Sequence, residues 1–477
     1  MIAPIPDAGR SAEREGSFRS AYLWLAASAS ALGGLLFGYD WVVIGGAKPF
    51  YEIYFRLDSP ALEGWAMSCA LIGCLVGAVA CGGMSDRFGR KRLLTLAAFI
   101  FAISSLGTGL AARFSAFVAW RLLGGVAIGL ASGVSPMYIA EIAPARLRGR
   151  LVSLNQMAIV VGILLAQVIN WLIARPVPPG ATAAEILASW NGQWGWRWMF
   201  AATAIPSLLF LAASILIPES PRWLAASGRN RQAREVLTLL GGAEYASRTL
   251  EEFHAASGTR VSTSLFSEIL RPGIPKAVLL GMVLAVLQQW CGINVIFNYA
   301  QDIFSAAGYH VSGILFNIVI TGTVNLIFTI AALGAVDCVG RRTLLLGGAT
   351  GLAAIYTVLG LLYHLHLQGM PMLVLVLAAI ACYSLTLAPV TWVVISELFP
   401  NRIRGSAMSI AVTTLWTACF ILTYTFPWLN SALSTAGVFW TYAGICIGGW
   451  LFLFFLLPET RGKSLEEIET IIRSNKA

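Results

Sequence analysis

Charge is what this sequence has least of. Asp, Glu, Lys and Arg make up 12% of its 477 residues, against 57% hydrophobic residues. A soluble chain carries about 25% charged residues, so half that share leaves too little charge to solvate a soluble fold of this length. Histidine is scarce as well, at four residues. No nucleophile–base pair, phosphate-cradling loop or metal cluster stands out among so few polar groups, which argues against an enzyme and against a bound cofactor or metal. The eight cysteines (69, 74, 81, 291, 338, 382, 419 and 446) fall in or beside apolar stretches. None forms a Cys-x-x-Cys pair or a Cys/His cluster, so neither a disulfide framework nor a zinc site is indicated. The first 19 residues are polar and lack the apolar core of a signal peptide.

What is present is apolar sequence in blocks of about 20 residues, the length that crosses a bilayer core as helix while satisfying its own backbone hydrogen bonds. Twelve such spans are expected, near 20–46, 63–84, 93–112, 115–140, 151–174, 197–217, 276–301, 311–335, 343–365, 371–396, 405–427 and 435–457. The net charge of +9 would suggest nucleic acid for a soluble protein. Here the basic residues sit in short loops. With both termini on one side, that side receives 26 of the 32 Lys and Arg, the other receives Lys48, Arg56, Arg113, Arg175 and Arg197, and Arg121 stays inside a span. Lys and Arg mark cytoplasmic loops, so both termini are expected in the cytoplasm of a multi-pass protein of the inner or plasma membrane, with lipid and not nucleic acid as its surroundings.

The two halves repeat. Glu141-Ile-Ala-Pro-Ala-Arg-Leu-Arg-Gly149 matches Glu397-Leu-Phe-Pro-Asn-Arg-Ile-Arg-Gly405, Asp86-Arg-Phe-Gly-Arg90 matches Asp337-Cys-Val-Gly-Arg341, and Pro218-Glu219 matches Pro458-Glu459. An all-α membrane fold of two six-helix bundles is implied, with a substrate site between bundles near the midplane. The expected parts are a cytoplasmic segment 1–19, a first bundle 20–217, a helical cytoplasmic linker domain 218–275, a second bundle 276–457 and a tail 458–477. Nothing suggests a channel filter.

These motifs, with Gly33-Gly-Leu-Leu-Phe-Gly-Tyr-Asp40, Arg121-Leu-Leu-Gly-Gly125, Pro218-Glu-Ser-Pro-Arg-Trp223 and Gln288-Gln289 followed by Gly292-Ile-Asn294, resemble the sugar porters of the major facilitator superfamily over nearly the whole chain. The resemblance implies a monosaccharide transporter, for a hexose or pentose, that works as a monomer by alternating access and is coupled to protons. An uncoupled uniporter and a non-transporting sugar sensor are the alternatives, the sensor disfavoured by the short tail.

Asp40 and Arg121 are the only charged residues that look deeply placed in the first bundle. A lone ion there is costly, so the two should pair. The resemblance makes Asp40 the proton carrier and Arg121 its partner; a static pair that holds helix register is the other reading. A sugar needs many hydrogen bonds, and carboxamides both donate and accept while staying neutral. By resemblance Gln156, Gln288, Gln289, Asn294 and Asn325 line the sugar site, against the alternative of helix–helix hydrogen bonding. Gln288, Gln289 and Asn294 face one another only if the helix bends near Gly292. Trp392 and Trp416 lie away from the interfacial belts; with Phe37 they suit the C–H face of a sugar ring, or else plain bundle packing. The charged motif residues Asp86, Arg90, Glu141, Arg148, Glu219, Asp337, Arg341, Glu397 and Arg404 are expected to form a cytoplasmic gate, with loop solvation as the alternative. Three positions depart from the family pattern: Ile163 where a second glutamine of the fifth span often stands, Asn298 for a tyrosine, and Leu415 where an amide often precedes Trp416. The stretch Trp41–Lys48 is expected to shape an outer vestibule.

Overall fold

A computed structural model describes residues 20–144, 146–257, 274–399 and 404–459, without the side chains at 20, 255–257, 335–338 and 404–406. The described chain is helical throughout its crossings. In order the helices are α1 (Ser20–Phe55), α2 (Pro60–Phe88), α3 (Arg90–Leu110), α4 (Phe114–Ile142), α5 (Arg148–Ile173), α6 (Ala183–Ala188), α7 (Trp196–Ala201), α8 (Ala204–Leu216), α9 (Pro221–Ala226) and α10 (Asn230–Ser257). There follow α11 (Ile274–Trp290), α12 (Ile293–Asn298), α13 (Ala300–Ala306), α14 (Val311–Val339), α15 (Arg341–His364), α16 (Met370–Leu385), α17 (Leu387–Leu398) and α18 (Arg404–Leu456).

Among the described residues, 11 helical stretches are long and apolar enough to cross a membrane, and the last, Ala407–Leu456, has 50 residues. At about 1.5 Å per residue that stretch exceeds twice the hydrocarbon thickness. It breaks at Ser434, where φ is 62°. The stretch covers nearly all of the two spans expected at 405–427 and 435–457, and the break falls between them.

One boundary differs clearly from expectation. The first crossing was expected to end at 46, but α1 runs on to Phe55 and carries Lys48 and Pro49 inside it. Lys48, expected in an outer loop, finds acidic partners within the helix's reach. The loop 175–196 holds α6, started by a capping box in which Thr182 and Glu185 bond each other's backbone N–H, and a five-residue π-turn at Asn191–Gly195. Those bonds hold the exposed Glu185 carboxyl below its usual range. In the linker domain, the helical pieces expected at Arg229–Leu240 and Thr249–Ala256 both fall within α10, which breaks at Gly242.

Lipid offers no hydrophobic drive between apolar helices, so close backbone approach holds them together. In the first bundle glycine supplies it. A methyl group at Gly125 of α4 would lie 1.9 Å from the Ala70 carbonyl oxygen of α2, and one at Gly38 of α1 would lie 1.9 Å from the Ile159 carbonyl oxygen of α5. The first contact seats α4 on α2, and the second brings α1, which carries Asp40, against α5.

The internal repeat recurs as geometry. Glu219 Oε1 accepts hydrogen bonds from the backbone N–H of Arg90 and Lys91, at 2.9 and 3.0 Å. Its counterpart Glu459 accepts from the N–H of Arg341 and Arg342, at 3.1 and 3.2 Å. Each carboxylate thus sits on the N-terminus of a helix, α3 or α15, that follows a glycine of positive φ (Gly89, 91°; Gly340, 103°). Unbonded N–H groups and the helix dipole favour a negative charge there.

Candidate functional site

Asp40 of α1 and Arg121 of α4 meet as expected. Arg121 Nη1 lies 2.7 Å from both carboxylate oxygens of Asp40. Asp40 is 7% exposed and Arg121 4%, and the guanidinium also lies over the Phe200 ring at 5.5 Å. Removing one member of a pair this buried leaves the other charge uncompensated. Lys48, at 2% exposed, is as buried as either of them, so the expectation of only two deep charges in this bundle is corrected.

The chain around Asp40 joins the bundles. Phe37 and Trp41 flank it on α1, and both rings contact Trp416 of α18 in the second bundle, with centroids 5.6 and 6.2 Å away. Phe37 and Trp41 also meet each other edge to face at 6.0 Å. Trp416 is buried, whereas Trp392 on α17 is half-buried.

The seventh crossing bends as its carboxamides required. Gly292 has φ 89° and separates α11 from α12. A methyl there would sit 2.8 Å from the Tyr442 ring. With the helix broken, Asn294 Nδ2 donates to Gln289 Oε1 over a short distance. Gln288 Nε2 donates to the Ala388 carbonyl at 3.2 Å, linking the seventh and tenth crossings. Its Oε1, like Asn298 Oδ1, is buried with no hydrogen-bond partner among the described residues. Asn325 of α14 accepts from Ser384 at 2.6 Å, and Gln156 is half-buried on α5. The departures from the family pattern, Ile163 and Leu415, are buried.

At the end of α1 away from Ser20, sequence reasoning missed a link between bundles. Lys48 Nζ lies 2.8 and 2.7 Å from the two carboxylate oxygens of Asp302 on α13. It lies 3.4 Å from Glu52 and 5.3 Å from the Tyr299 ring. Nearby, Val177 N–H donates to Ser312 at 3.0 Å, and Trp171 meets Phe316 with centroids 5.9 Å apart. The Lys48-x-x-x-Glu52 spacing was a signal, since residues four apart share a helix face.

At the opposite end the charged motif residues pair inside bundles. Arg90 bonds Glu141 at 3.0 Å and reaches Asp86 at 3.3 Å; Arg341 reaches Glu397 at 3.5 Å. Ser220 donates to Glu141, and Trp223 Nε1 donates to the Asp86 carbonyl at 2.8 Å, which fastens the start of α9 to α2 and α4. Arg148 borders a cavity of about 490 Å³ shared with Glu141, Arg146, Arg150, Arg222 and Tyr245. That cavity includes none of the carboxamides or tryptophans above. The side chains of Asp337 and Arg404 lie outside the described residues.

Apolar helices in two related halves, 11 of them long enough to cross a membrane among the described residues, with a buried carboxylate–guanidinium pair and carboxamides around the break at Gly292, define a secondary transporter of the major facilitator fold. The chain belongs to the family described as sugar (and other) transporters, whose model matches residues 26–472. It is 37% identical to the D-xylose-proton symporter of Escherichia coli K12, over 95% of this chain and 96% of that one. It is 36% identical to the arabinose-proton symporter of Bacillus subtilis, over 94% and 95%, and 38% identical to the glucose transport protein of Synechocystis, over 94% and 97%. Among solved structures it is similar to the partially occluded inward-open xylose transporter XylE of E. coli, with TM-score 0.82 and 35% identity over 93% of this chain and 100% of that one. It is also similar to the proton:xylose symporter XylE bound to 6-bromo-6-deoxy-D-glucose, with TM-score 0.78 and 36% identity over 95% and 100%.

Proposed function

We propose that this protein carries a pentose or hexose together with a proton across the cytoplasmic membrane, by rocking of its two bundles about a central site. The observation that carries the reading is the position of Asp40. It is paired with Arg121 on one side of α1, and its neighbours Phe37 and Trp41 touch Trp416 of the other bundle. Protonation neutralises Asp40 and frees Arg121, and α1 can then shift its aromatic contacts. A change of charge in one bundle is thereby felt at the boundary with the other.

The sugar site is formed by Gln288, Gln289 and Asn294 with Gln156, Asn325, Phe37, Trp392 and Trp416. The unpaired oxygens of Gln288 and Asn298 support it, because a buried acceptor without a partner is costly until a hydroxyl reaches it. With both termini in the cytoplasm, the Lys48 end is the outer face. The bonds Lys48–Asp302 and Val177–Ser312 then close the outer side. The gate pairs Arg90–Glu141, Arg90–Asp86 and Arg341–Glu397 each join residues of one bundle, and the gate charges pair across bundles in the opposite state. The protein acts as a monomer embedded in lipid, with no enzymatic step.

The test is uptake of D-xylose, L-arabinose and D-glucose into vesicles with and without an imposed proton gradient. Accumulation above equilibrium that collapses with the gradient is expected. Transport that only ever equilibrates would refute coupling.

A further inference from the structure

Gln167 on α5 is 2% exposed, and neither atom of its amide finds a hydrogen-bond partner among the described residues. An amide offers two donor hydrogens and an acceptor oxygen, and burying them unpaired is a net loss. In this state Gln167 therefore adds nothing to the fold through its polar end. The neighbour it faces belongs to the other bundle. A methyl at Gly322 of α14 would lie 1.8 Å from Gln167 Oε1, so only glycine leaves room for the amide against that helix.

The face of α14 around Gly322 is polar. Asn317, Thr321 and Asn325 recur at four-residue spacing and are 6, 2 and 5% exposed, so they stack along one side of the helix. Asn317 Nδ2 also lacks a partner among the described residues. This stripe leads inward from the outer end to Asn325, which the sugar reading places at the site. On α5, Gln167 lies one turn outward from Ile163, where the family resemblance anticipates a second glutamine. The polar group missing at 163 reappears four residues on, on the same helical face.

We propose that Gln167 is a specificity-determining residue of the outward-facing sugar path. With the seam between α5 and α14 open, its amide takes one hydroxyl of the incoming sugar; with the seam closed, it is pressed without a partner onto Gly322. The assignment rests on the sugar reading above. Its consequence is sidedness: affinity from outside depends on Gln167, and affinity from inside does not.

The experiment compares wild type with Gln167→Leu in right-side-out and inside-out vesicles. The probes are D-xylose, L-arabinose and D-glucose, with the monodeoxy analogues of whichever sugar the wild type carries. The external KM is expected to rise about tenfold, the effect of losing one buried hydroxyl contact, while the internal KM stays within about twofold. One deoxy analogue, lacking the contacted hydroxyl, should show the same external KM in both proteins. Because the amide is unpaired, Gln167→Leu should melt no lower than wild type. Gln167→Asn, which withdraws the amide by one methylene, should give an intermediate external KM and serves if the leucine variant misfolds. An unshifted external KM, or an equal rise on both sides and for every analogue, overturns the assignment while leaving the sugar reading intact. Wild-type vesicles that carry none of the probes overturn the sugar reading itself, and the assignment falls with it.

Discussion

Replacing Lys48 by methionine should open the outer side. Lys48 is 2% exposed, whereas the side chain of its partner Asp302 is 30% exposed. Deleting one member of a fully buried pair costs about 3–5 kcal/mol, because the survivor is left unpaired. Water reaches Asp302, so the closed state should lose less, about 2–3 kcal/mol. At about 1.4 kcal/mol per factor of ten, the closed-to-open ratio falls about 30- to 150-fold. Spin labels on cysteines introduced at Asp58 and Ser305, both exposed at this end, report the opening as a longer distance in pulsed EPR. The seven described native cysteines are free and at least partly buried, and a background without all eight, Cys338 included, is the starting point. Adding Asp302→Asn to Lys48→Met removes one stranded carboxylate and should recover part of the closed population. A Lys48→Met distance distribution identical to the parent's would refute the claim that this pair holds the outer side shut.

Three further outcomes are expected. Asp40→Asn should abolish uphill accumulation and leave sugar equilibration across the membrane; accumulation equal to wild type would remove Asp40 as the proton carrier. Gln289→Ala takes away the acceptor that holds Asn294 and a sugar contact at once, so equilibrium binding should weaken about 10- to 100-fold, and wild-type affinity would exclude it from the site. Glu219→Gln keeps the shape of the cap on α3 but removes its charge. A loss of about 1 kcal/mol at the helix terminus should speed hydrogen exchange of the Arg90 and Lys91 amides about fivefold, with Glu459→Gln doing the same at α15; unchanged exchange would mean the charge is immaterial.

The paired glutamates show what could be foreseen. Pro218-Glu219 and Pro458-Glu459 were visible as a repeat, and a repeat in sequence became the same cap twice in space. Asp40 and Arg121 were predictable because two opposite charges inside apolar spans have few other ways to avoid isolation. The bend at Gly292 followed from the need to bring Asn294 toward the glutamines. Lys48 was placed outside the first span, because its neutralising partner Asp302 is 254 residues away and no local pattern links the two. Gln167 carried only the weak signal of standing four residues from Ile163, since its meaning comes from the missing side chain at Gly322 on the opposite bundle.

Composition and segment length alone determined that the chain lives in a membrane, and the repeated motifs alone determined that it has two related bundles. Both follow from the bilayer acting on each segment separately, through hydrophobic length and backbone hydrogen bonding. Which residues face each other across the bundle boundary was decided only by the tertiary structure. The ion pair at Lys48, the ring contacts of Trp416 and the pressing of Gln167 onto Gly322 depend on how closely helices from different halves approach. That approach is set by packing of small residues, which leaves no local periodicity in the chain to read.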